Sequence, residues 1–344
     1  MKNYKKPSEI KVGVVGYGGA FNMGRHHLRE MENAGMVPVA VAEVDPERLA
    51  IARTDFPKIE TYSSVPEMLK SSNVDLVVII TPHNTHASIA LECLKSGRHV
   101  VCEKPLAITT EEVNAMMAAA KKSGVVLSTY HNRHWDGRIL QAVELVKKQK
   151  CIGDIVRIEC RMGSYAQPGD WWRSSRSISG GILYDWGVHL LEYSLQLIDA
   201  PICEISGFAH EGFWAPKTKW KADSNEDEGF LVVRFESNQW LTLRITQIDS
   251  LPKPGIVEVT GTKGTYVMDF PHSTLCQHAD GRVTTTQIPN PNDEGFRYYK
   301  NIASHLTGKA PLVITPEWSR RPVHILDLAA KSAKAGKSLR AKFA

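Results

Sequence analysis

Two pairs of charged residues in this sequence could do proton-transfer or charge-stabilising chemistry. The first pair is Glu103 and Lys104, which follow the short apolar run His99–Cys102 and precede Pro105. Proline cannot donate to a sheet ladder and favours extended geometry in the residue before it, so the predicted strand ends here. The carboxyl ends of strands in an open parallel sheet are where ligands bind. The alternative is an ordinary solvated ion pair, which is common on protein surfaces.

The second pair is Asp185 and His189, which lie four residues apart. Apolar residues recur at helical spacing from 183 to 197, so the two polar residues share the other helix face, one turn apart. An aspartate and a histidine held together can orient a hydroxyl and exchange its proton. The alternative is the polar side of an amphipathic helix. Gly187 lowers helix stability, which suggests that something packs or binds close to it.

A glycine cluster and one acidic residue indicate a nucleotide site. Gly16, Gly18 and Gly19 follow the first predicted strand, where glycines permit a tight turn and let a pyrophosphate approach the backbone. Glu43 ends the second predicted strand, and a carboxylate there can accept ribose hydroxyls and repel a 2′-phosphate. Gly24 comes six residues after Gly18 instead of the usual three, so this loop is longer than the common motif.

The elements that position these residues alternate between strand and helix in the first part of the chain. The apolar runs predict strands over residues 11–16, 37–43, 76–80, 99–102 and 125–130. Helical spacing and N-capping residues predict helices over residues 24–34, 46–54, 86–96 and 109–122. Strands and helices in this alternation are typical of βαβ units and a doubly wound parallel sheet.

The second part of the chain has a different pattern. A connecting helix is predicted over residues 136–149, followed by strands over 155–162, 203–209, 229–235, 240–247, 256–260 and 265–269. Short turns between neighbouring strands favour an antiparallel sheet. Helices are predicted over 296–306 and 316–335. We therefore divide the chain into domains over 1–134 and 135–344, with the carboxy-terminal helices able to pack back on the first domain.

Length and composition exclude several classes of protein. The 344 residues suit two domains, and the net charge of +5 comes from scattered basic residues without the stripe that nucleic-acid binding needs. The six cysteines show no C-x-x-C spacing, which favours a reducing compartment and disfavours a disulfide frame or a metal site. No long apolar segment or signal peptide is evident, so we expect a cytoplasmic protein with no membrane partner.

Further motifs complete a specific pattern along nearly the whole chain. They are Glu43 to Arg48, Thr81-Pro82-His83-Asn84-Thr85-His86, Glu103-Lys104-Pro105, Asn132-Arg133, Trp172-Arg173, Gly180-Gly181 with Asp185, Gly187 and His189, Gly261-Thr262-Lys263-Gly264, and Thr315-Pro316-Glu317. In these motifs and the glycine loop the chain resembles the glucose–fructose oxidoreductase/inositol dehydrogenase (Gfo/Idh/MocA) family of NAD(P)-dependent oxidoreductases. The resemblance implies a Rossmann domain and an α+β domain on a large open, mostly antiparallel sheet, through which a homodimer or homotetramer forms.

The resemblance also implies roles for individual residues. The implied catalytic residues are Lys104, Asp185 and His189. The candidate cofactor contacts are Gly16, Gly18, Gly19, Phe21, Glu43, Thr81, His83, His86, Glu103 and Lys104. The candidate substrate contacts are Lys104, Asn132, Arg133, Tyr165, Trp172, Arg173, Asp185 and His189. The chain departs from the family in its lengthened glycine loop and in His83, where many members carry an asparagine.

The chemistry expected of these residues is oxidation of a secondary hydroxyl on a sugar, polyol or sugar derivative. His189 is the candidate base because an imidazole titrates near neutral pH. Asp185 would hold the substrate hydroxyl or the histidine, and Lys104 would stabilise charge on the reacting oxygen. The expected cofactor is NAD instead of NADP, because Glu43 ends the second strand and no arginine follows it before Arg48.

The aromatic residues near the second motif suit a carbohydrate. Tyr165, Trp171, Trp172 and Tyr184 have flat rings with polar tips, although core packing is the favoured explanation for at least half of them. Two other functions stay open at this point. One is an NAD-recycling glycosidase or lyase that acts through transient oxidation of a glycoside, and the other is a non-catalytic NAD-binding regulator.

Overall fold

The computed structural model describes residues 3–341. The chain divides into two compact units. The first holds the residues up to His131 together with Phe296–Arg321, and the second holds Asn132–Gly295 together with the residues from Pro322 onward. Within residues 3–341 no helix combines the length and the apolar character needed to span a membrane.

The bounds of the regular elements follow the chain order. The strands are β1 (Lys11–Val15), β2 (Val37–Ala42), β3 (Glu60–Tyr62), β4 (Leu76–Ile79), β5 (His99–Cys102), β6 (Leu127–Thr129), β7 (Ile155–Gly163), β8 (Ile202–His210), β9 (Glu228–Phe235), β10 (Trp240–Thr246), β11 (Val257–Gly261), β12 (Gly264–Met268), β13 (His272–Ala279), β14 (Arg282–Pro289) and β15 (Leu339–Arg340). The helices are α1 (Met23–Asn33), α2 (Pro46–Asp55), α3 (Val65–Ser71), α4 (His86–Lys95), α5 (Thr110–Ser123), α6 (Gly137–Ala142), α7 (Arg176–Ser179), α8 (Leu183–Leu197), α9 (Arg297–Leu306) and α10 (Pro316–Ala335).

The first unit is built on a parallel sheet. Six of the described strands form it in the order β3-β2-β1-β4-β5-β6, and every neighbouring pair is parallel. The inner strands β1, β4 and β5 are short apolar runs, and Val14, Val78 and Val101 have no solvent exposure. This is expected of strands that helices cover on both faces. The fold of this unit is a Rossmann-like doubly wound sheet, as predicted.

Helix α5 illustrates how local sequence fixes the element bounds. The Thr109 side chain accepts the Glu112 amide, and the Glu112 carboxylate accepts the Thr109 amide. This capping box satisfies amides that have no partner inside the helix. The helix ends at Gly124, whose positive φ of 65° suits a glycine C-cap.

The second unit is built on a mixed, mostly antiparallel sheet. Nine described strands form it in the order β14-β13-β12-β11-β7-β10-β9-β8-β15. Strands β7 and β10 pair in parallel, and the other neighbouring pairs are antiparallel. Helix α8 packs on β10, since a Cβ added at Gly187 would lie 3.0 Å from Leu243 Cδ2. Close helix–sheet packing therefore explains the glycine inside this helix.

Several predicted elements differ from the structure. Elements β3, α3, α7, β13, β14 and β15 were not predicted. The helix expected over residues 136–149 is α6 followed by a π-helical segment, Val143–Lys148. The missed strand β14 is exposed along almost its whole length, so it has no apolar face that a buried strand would show.

Candidate active site

Four candidate residues of the first unit lie at one edge of the parallel sheet. Gly16, Glu43, Thr81 and Glu103 come at or just beyond the carboxyl ends of β1, β2, β4 and β5, which are neighbours in the order β2-β1-β4-β5. In an open parallel sheet this edge forms the ligand-binding crevice. The sheet topology thus brings together motifs that are separated by up to 87 positions in the sequence (103 minus 16).

Gly16 and Gly18, in the turn after β1, are glycines for different physical reasons. Gly16 has a φ of +97°, and a Cβ there would lie 2.8 Å from the Ile80 carbonyl oxygen, so the fold itself requires a glycine. A Cβ added at Gly18 would meet nothing within 4 Å. The protein therefore leaves open space beside Gly18, as a turn that admits a pyrophosphate requires.

The lengthened loop still ends in a packing glycine. Helix α1 begins at Met23, after Asn22 in the left-handed region, and a Cβ at Gly24 would lie 2.5 Å from the Tyr17 ring. Gly24 therefore allows α1 to pack closely on the turn, which is the role of the third glycine in the shorter motif. Phe21 lies within the extra residues and is 58% exposed.

Main-chain amides hold the carboxylate of Glu43. One oxygen accepts from the Tyr17 amide at 2.6 Å, and the other accepts from the amides of Val44 and Asp45 at 2.7 and 3.1 Å. The carboxylate therefore joins the glycine turn to the start of α2. This contact fixes the turn and places a negative charge beside it.

Arg48 lies close to the same turn. A Cβ added at Gly19 would be 2.3 Å from a guanidinium nitrogen of Arg48, so the guanidinium packs directly against the glycine. Arg48 is half-buried in the first turn of α2, where the helix dipole disfavours a cation. Among the residues that the structure describes, none forms a hydrogen bond or ion pair with this guanidinium.

The histidines after β4 tie loops of this edge together. His86 is fully buried, and its two ring nitrogens lie 2.8 Å from the Pro105 carbonyl oxygen and 2.9 Å from that of Thr81. Burial lowers the pKa of His86 and favours the neutral ring. His83 is also buried, with its ring 5.6 Å from that of His86. Direct contact of either ring with a cofactor stays a prediction.

Glu103 is held by residues that sequence reasoning missed. Its Oε1 lies 3.0 Å from His27 Nε2, its Oε2 accepts the Lys104 amide at 2.9 Å, and Nδ1 of His27 lies 2.5 Å from the Tyr299 hydroxyl oxygen. Burial would raise the pKa of Glu103, but the contacts with His27 and Lys104 reverse the effect and lower it to about 2. The carboxylate therefore stays ionised at neutral pH.

In the second unit, two glycines and one glutamate start α8. Gly180 and Gly181 have φ values of 92° and 123°. A Cβ on Gly181 would lie 2.8 Å from an oxygen of Glu226, whose carboxylate accepts the Ile182 amide at 2.8 Å. The glycines therefore let a carboxylate reach the helix amino terminus, where the dipole favours it.

Asp185 is engaged in an ion pair. Its Oδ1 lies 2.5 Å from Nη1 of Arg173, and the guanidinium carbon lies 4.8 and 5.4 Å from the ring centroids of Trp172 and Trp171. The Asp185 side chain is 39% exposed. The structure thus brings together three predicted residues as a charged pair beside aromatic rings, a combination that can offer hydrogen bonds and a flat apolar surface.

His189 lies one turn further along α8 and is buried. Its ring centroid is 5.6 Å from that of Trp186, over which the guanidinium of Arg133 lies at 5.0 Å. Glu192, on the same side of the helix, is 1% exposed and lies 2.5 Å from His134 Nδ1. The alternative of a solvated polar face is therefore wrong for His189 and Glu192.

The other candidate substrate residues lie in loops of the second unit. Asn132 begins the 3₁₀ turn Asn132–Trp135. Tyr165 is 56% exposed, and its ring lies 6.2 Å from Phe213 and 5.6 Å from Trp214. Phe213 and Trp214 come from a loop that carries no local motif, so no sequence pattern pointed to them. Of the three predicted catalytic residues, Lys104 belongs to the first unit, and Asp185 and His189 belong to the second.

Comparison with protein families gives a consistent result for both units. The model of an oxidoreductase family with an NAD-binding Rossmann fold, GFO_IDH_MocA, matches residues 10–131. The model of the GFO/IDH/MocA C-terminal domain matches residues 139–267. The two matches together cover more than two thirds of the chain.

Individual relatives match this chain over most of its length. Scyllo-inositol 2-dehydrogenase (NADP(+)) of Bacillus subtilis (strain 168) is 24% identical over 351 residues, covering 97% of this chain and 96% of that protein. Myo-inositol 2-dehydrogenase of Thermotoga maritima is 26% identical over 291 residues, covering 84% and 81%. A solved structure of an NAD-binding protein from Listeria innocua has a TM-score of 0.81 at 26% identity, covering 96% and 97% of the two chains.

Proposed function

This chain belongs to the GFO/IDH/MocA family of NAD(P)-dependent oxidoreductases, and we propose that it oxidises a secondary hydroxyl of a polyol or sugar with NAD. The observation that carries the substrate class is the ion pair of Asp185 with Arg173 beside the rings of Trp171 and Trp172. Hydroxyl groups need donors and acceptors, and the C–H faces of a carbohydrate pack on aromatic rings. The inositol dehydrogenases among the relatives act on such polyols.

Each of the proposed catalytic residues has a separate role in the reaction. Bound NAD would accept the hydride, and the protein supplies orientation, a base and charge stabilisation. We assign His189 as the base that takes the hydroxyl proton and Asp185 as the acceptor that orients that hydroxyl. We assign Lys104 as the donor to the reacting oxygen, where negative charge develops.

Turnover against a substrate panel tests the proposed function. The purified chain is incubated with NAD and, separately, inositols, other polyols, aldoses and glycosides, and NADH formation is followed at 340 nm as a standard readout. Formation of NADH with at least one polyol or sugar is expected. Consumption of a glycoside without net NADH would favour the redox-neutral lyase or glycosidase, and inactivity with every class would contradict the proposal.

The choice of NAD over NADP follows from Glu43. Its carboxylate, held against the glycine turn by three amides, places negative charge where a 2′-phosphate would be repelled. One observation favours NADP as a second candidate. Arg48 lies against Gly19 with no anionic partner among the described residues, and a guanidinium nearby can accommodate a 2′-phosphate.

Two variants separate these cofactor assignments. The dissociation constants of NADH and NADPH are measured by fluorescence titration for the wild type, Glu43→Gln and Arg48→Gln. With NAD preferred, Glu43→Gln should tighten NADPH binding by roughly tenfold, because a repulsion is removed. If the wild type binds NADPH more tightly and Arg48→Gln removes that preference, then Arg48 sets the specificity and the NAD assignment is wrong.

We also propose that the sheet of the second unit pairs with a second copy of the chain. Trp240 and Phe208 are 39% and 59% exposed, and Phe208 lies 5.8 Å from the ring of Phe230. Side chains alternate along strands, so these rings lie on the face opposite Leu243 and α8. Exposed aromatic groups of this kind mark interaction surfaces. Sedimentation velocity should show a dimer or tetramer, and Phe208→Glu should shift it towards monomer.

A further inference from the structure

A buried chain of hydrogen bonds runs across three elements of the first unit. His27 projects from α1, Glu103 follows β5, and Tyr299 projects from α9. His27 Nδ1 lies 2.5 Å from the Tyr299 hydroxyl, and its Nε2 lies 3.0 Å from Glu103. His27 has no solvent exposure, and Tyr299 has 1%. These hydrogen bonds end at Glu103, which directly precedes Lys104.

The direction of one hydrogen bond in this network follows from chemistry. The ionised Glu103 carboxylate can only accept, so Nε2 of His27 donates to it. The other ring nitrogen, Nδ1, pairs with the Tyr299 hydroxyl. The polar atoms of these three side chains therefore all have hydrogen-bond partners, as buried polar groups require. The Tyr299 hydroxyl thereby holds the imidazole with Nε2 facing Glu103.

Aromatic and histidine side chains around His27 restrict the position of its imidazole ring. The Tyr130 ring lies 4.3 Å from His27, and its hydroxyl is 2.9 Å from His26 Nε2. Burial is the main cause that lowers the pKa of His26, so a positive charge on His26 beside these residues is disfavoured.

The hydrogen-bond network ends at the backbone amide of Lys104. The second oxygen of Glu103 accepts the Lys104 amide at 2.9 Å, so both carboxylate oxygens are fixed by hydrogen bonds. A carboxylate held at both oxygens fixes the orientation of the peptide that it binds. The direction in which the Lys104 side chain leaves the backbone therefore depends on the position of Glu103.

We propose that His27 and Tyr299 are positioning residues for catalysis, which hold Glu103 and through it the backbone of Lys104. The proposal rests on the proposed function, in which the Lys104 ammonium stabilises the reacting oxygen. A histidine that serves packing alone would affect the stability of the unit without a separate effect on turnover. The two roles therefore make different predictions for matched variants.

Four variants test the proposal. His27→Leu removes both hydrogen bonds, His27→Gln keeps an N–H near the Nε2 position, and Tyr299→Phe removes the hydroxyl that pairs with Nδ1. Met31→Ala is the control, because Met31 is fully buried on the same helix and takes no part in the chain. For each variant, kcat, KM, the NADH dissociation constant and the melting temperature are measured.

The expected results separate positioning from packing. His27→Leu should lower kcat by roughly tenfold to a hundredfold, the range seen when a residue that orients a functional group is lost. The NADH dissociation constant should change much less, and His27→Gln should restore most of the turnover. Tyr299→Phe should have a smaller effect in the same direction. Met31→Ala should lower the melting temperature and leave kcat near the wild-type value.

Two outcomes would overturn the proposal. One is a kcat for folded His27→Leu that equals that of Met31→Ala, and the other is a failure of His27→Gln to exceed His27→Leu. If His27→Leu does not fold, Tyr299→Phe still decides, because it keeps the volume of the site nearly constant and removes only the hydroxyl. Wild-type kcat in folded Tyr299→Phe would then contradict positioning.

A readout without substrate distinguishes failure of this proposal from failure of the proposed function. If the wild type oxidises no polyol or sugar, the function is wrong, and the position of Lys104 is then measured by its labelling rate with pyridoxal phosphate and borohydride, read by peptide mass spectrometry. The rate should change severalfold in His27→Leu and stay near wild type in His27→Gln and Met31→Ala. Equal rates in all four proteins would contradict the positioning role.

Discussion

The two units assemble their candidate site residues by different physical means. In the first unit the site is made largely from backbone: a glycine turn, main-chain amides around Glu43, and a carboxylate fixed at the end of β5. In the second unit it is made from side chains on a helix and loops, such as Asp185 with Arg173 and the neighbouring tryptophans.

This difference separates site residues that the fold itself fixes from site residues that can be exchanged. Backbone geometry at a sheet edge follows from the fold, so it suits a ligand whose shape does not change, such as a dinucleotide. Side chains on loops can be replaced without disturbing a scaffold, so they suit the recognition of a particular substrate. The comparison predicts that substitutions at the sheet edge of the first unit change cofactor binding or the stability of the fold, and that substitutions in the loops of the second unit change mainly the KM for the substrate.

His189 should give the largest effect, although it belongs to the second unit. His189→Asn should lower turnover by roughly a hundredfold to ten thousandfold, the usual span for loss of a general base. Wild-type oxidation should rise with pH as the imidazole loses its proton, and this limb should vanish in the variant. The control is His210→Asn, an exposed histidine of the same unit. An unchanged pH profile in His189→Asn would place the base elsewhere.

Lys104 should give the next largest effect. Lys104→Met should lower turnover by about a hundredfold, because a donor to the developing oxyanion is lost. NADH affinity, measured by fluorescence, should fall much less. Lys121→Met makes the same change at an exposed position of α5 and should be silent. Near-wild-type turnover in Lys104→Met would return this residue to the solvated ion-pair interpretation.

The two glycines of the turn give a direct test of the backbone-built site. Gly18→Ala should leave the melting temperature unchanged, since its Cβ would meet no protein atom, but should weaken NADH binding by roughly tenfold because it fills the space beside the turn. Gly16→Ala should instead destabilise the fold by about 1–3 kcal/mol, because of its positive φ and the Ile80 carbonyl. Equal NADH binding in Gly18→Ala and wild type would show that no cofactor uses this space.

Arg173 should give the smallest effect. Arg173→Met removes a partly exposed ion pair, worth at most about 1 kcal/mol, so the KM for the sugar or polyol should rise no more than about fivefold. The matched control is Arg157→Met, which removes the ion pair with Glu159 on the sheet. A change of a hundredfold or more in kcat would mean that Arg173 takes part in the reaction itself.

The fold was predictable where residues are buried in regular patterns. Strand β5 and helix α10 have the bounds that the sequence predicted, because an apolar run and a helical repeat with a following glycine are local signals. The hairpin of β13 and β14 was missed because β14 is polar and exposed, and β13 buries only two of its residues. One signal could have found it: the turn is Asp280-Gly281, both with positive φ, and an Asp-Gly pair is a strong indicator of a two-residue hairpin.

The site was predictable where a motif is local and not where it depends on distant packing. The sequence named Glu103 from the strand that it follows, and Asp185 with His189 from their helical spacing. It did not name His27 or Tyr299, whose hydrogen bonds join residues 76 and 272 positions apart. No period or propensity encodes such a pairing, which arises only when α1 and α9 pack in the folded unit.

The place of Tyr299 in the chain has a consequence for protein synthesis. The six strands of the parallel sheet are complete once residue 129 has been made, but α9 follows about 170 residues later. At roughly 5–20 residues per second, ribosomes need on the order of 10 to 30 s to produce that interval. During this time the nascent first unit has its sheet without α9 and Tyr299. A chain truncated in the interval would carry the glycine turn and Lys104 without the Tyr299 hydroxyl, so the contacts of His27 can be completed only after residue 299 has been made.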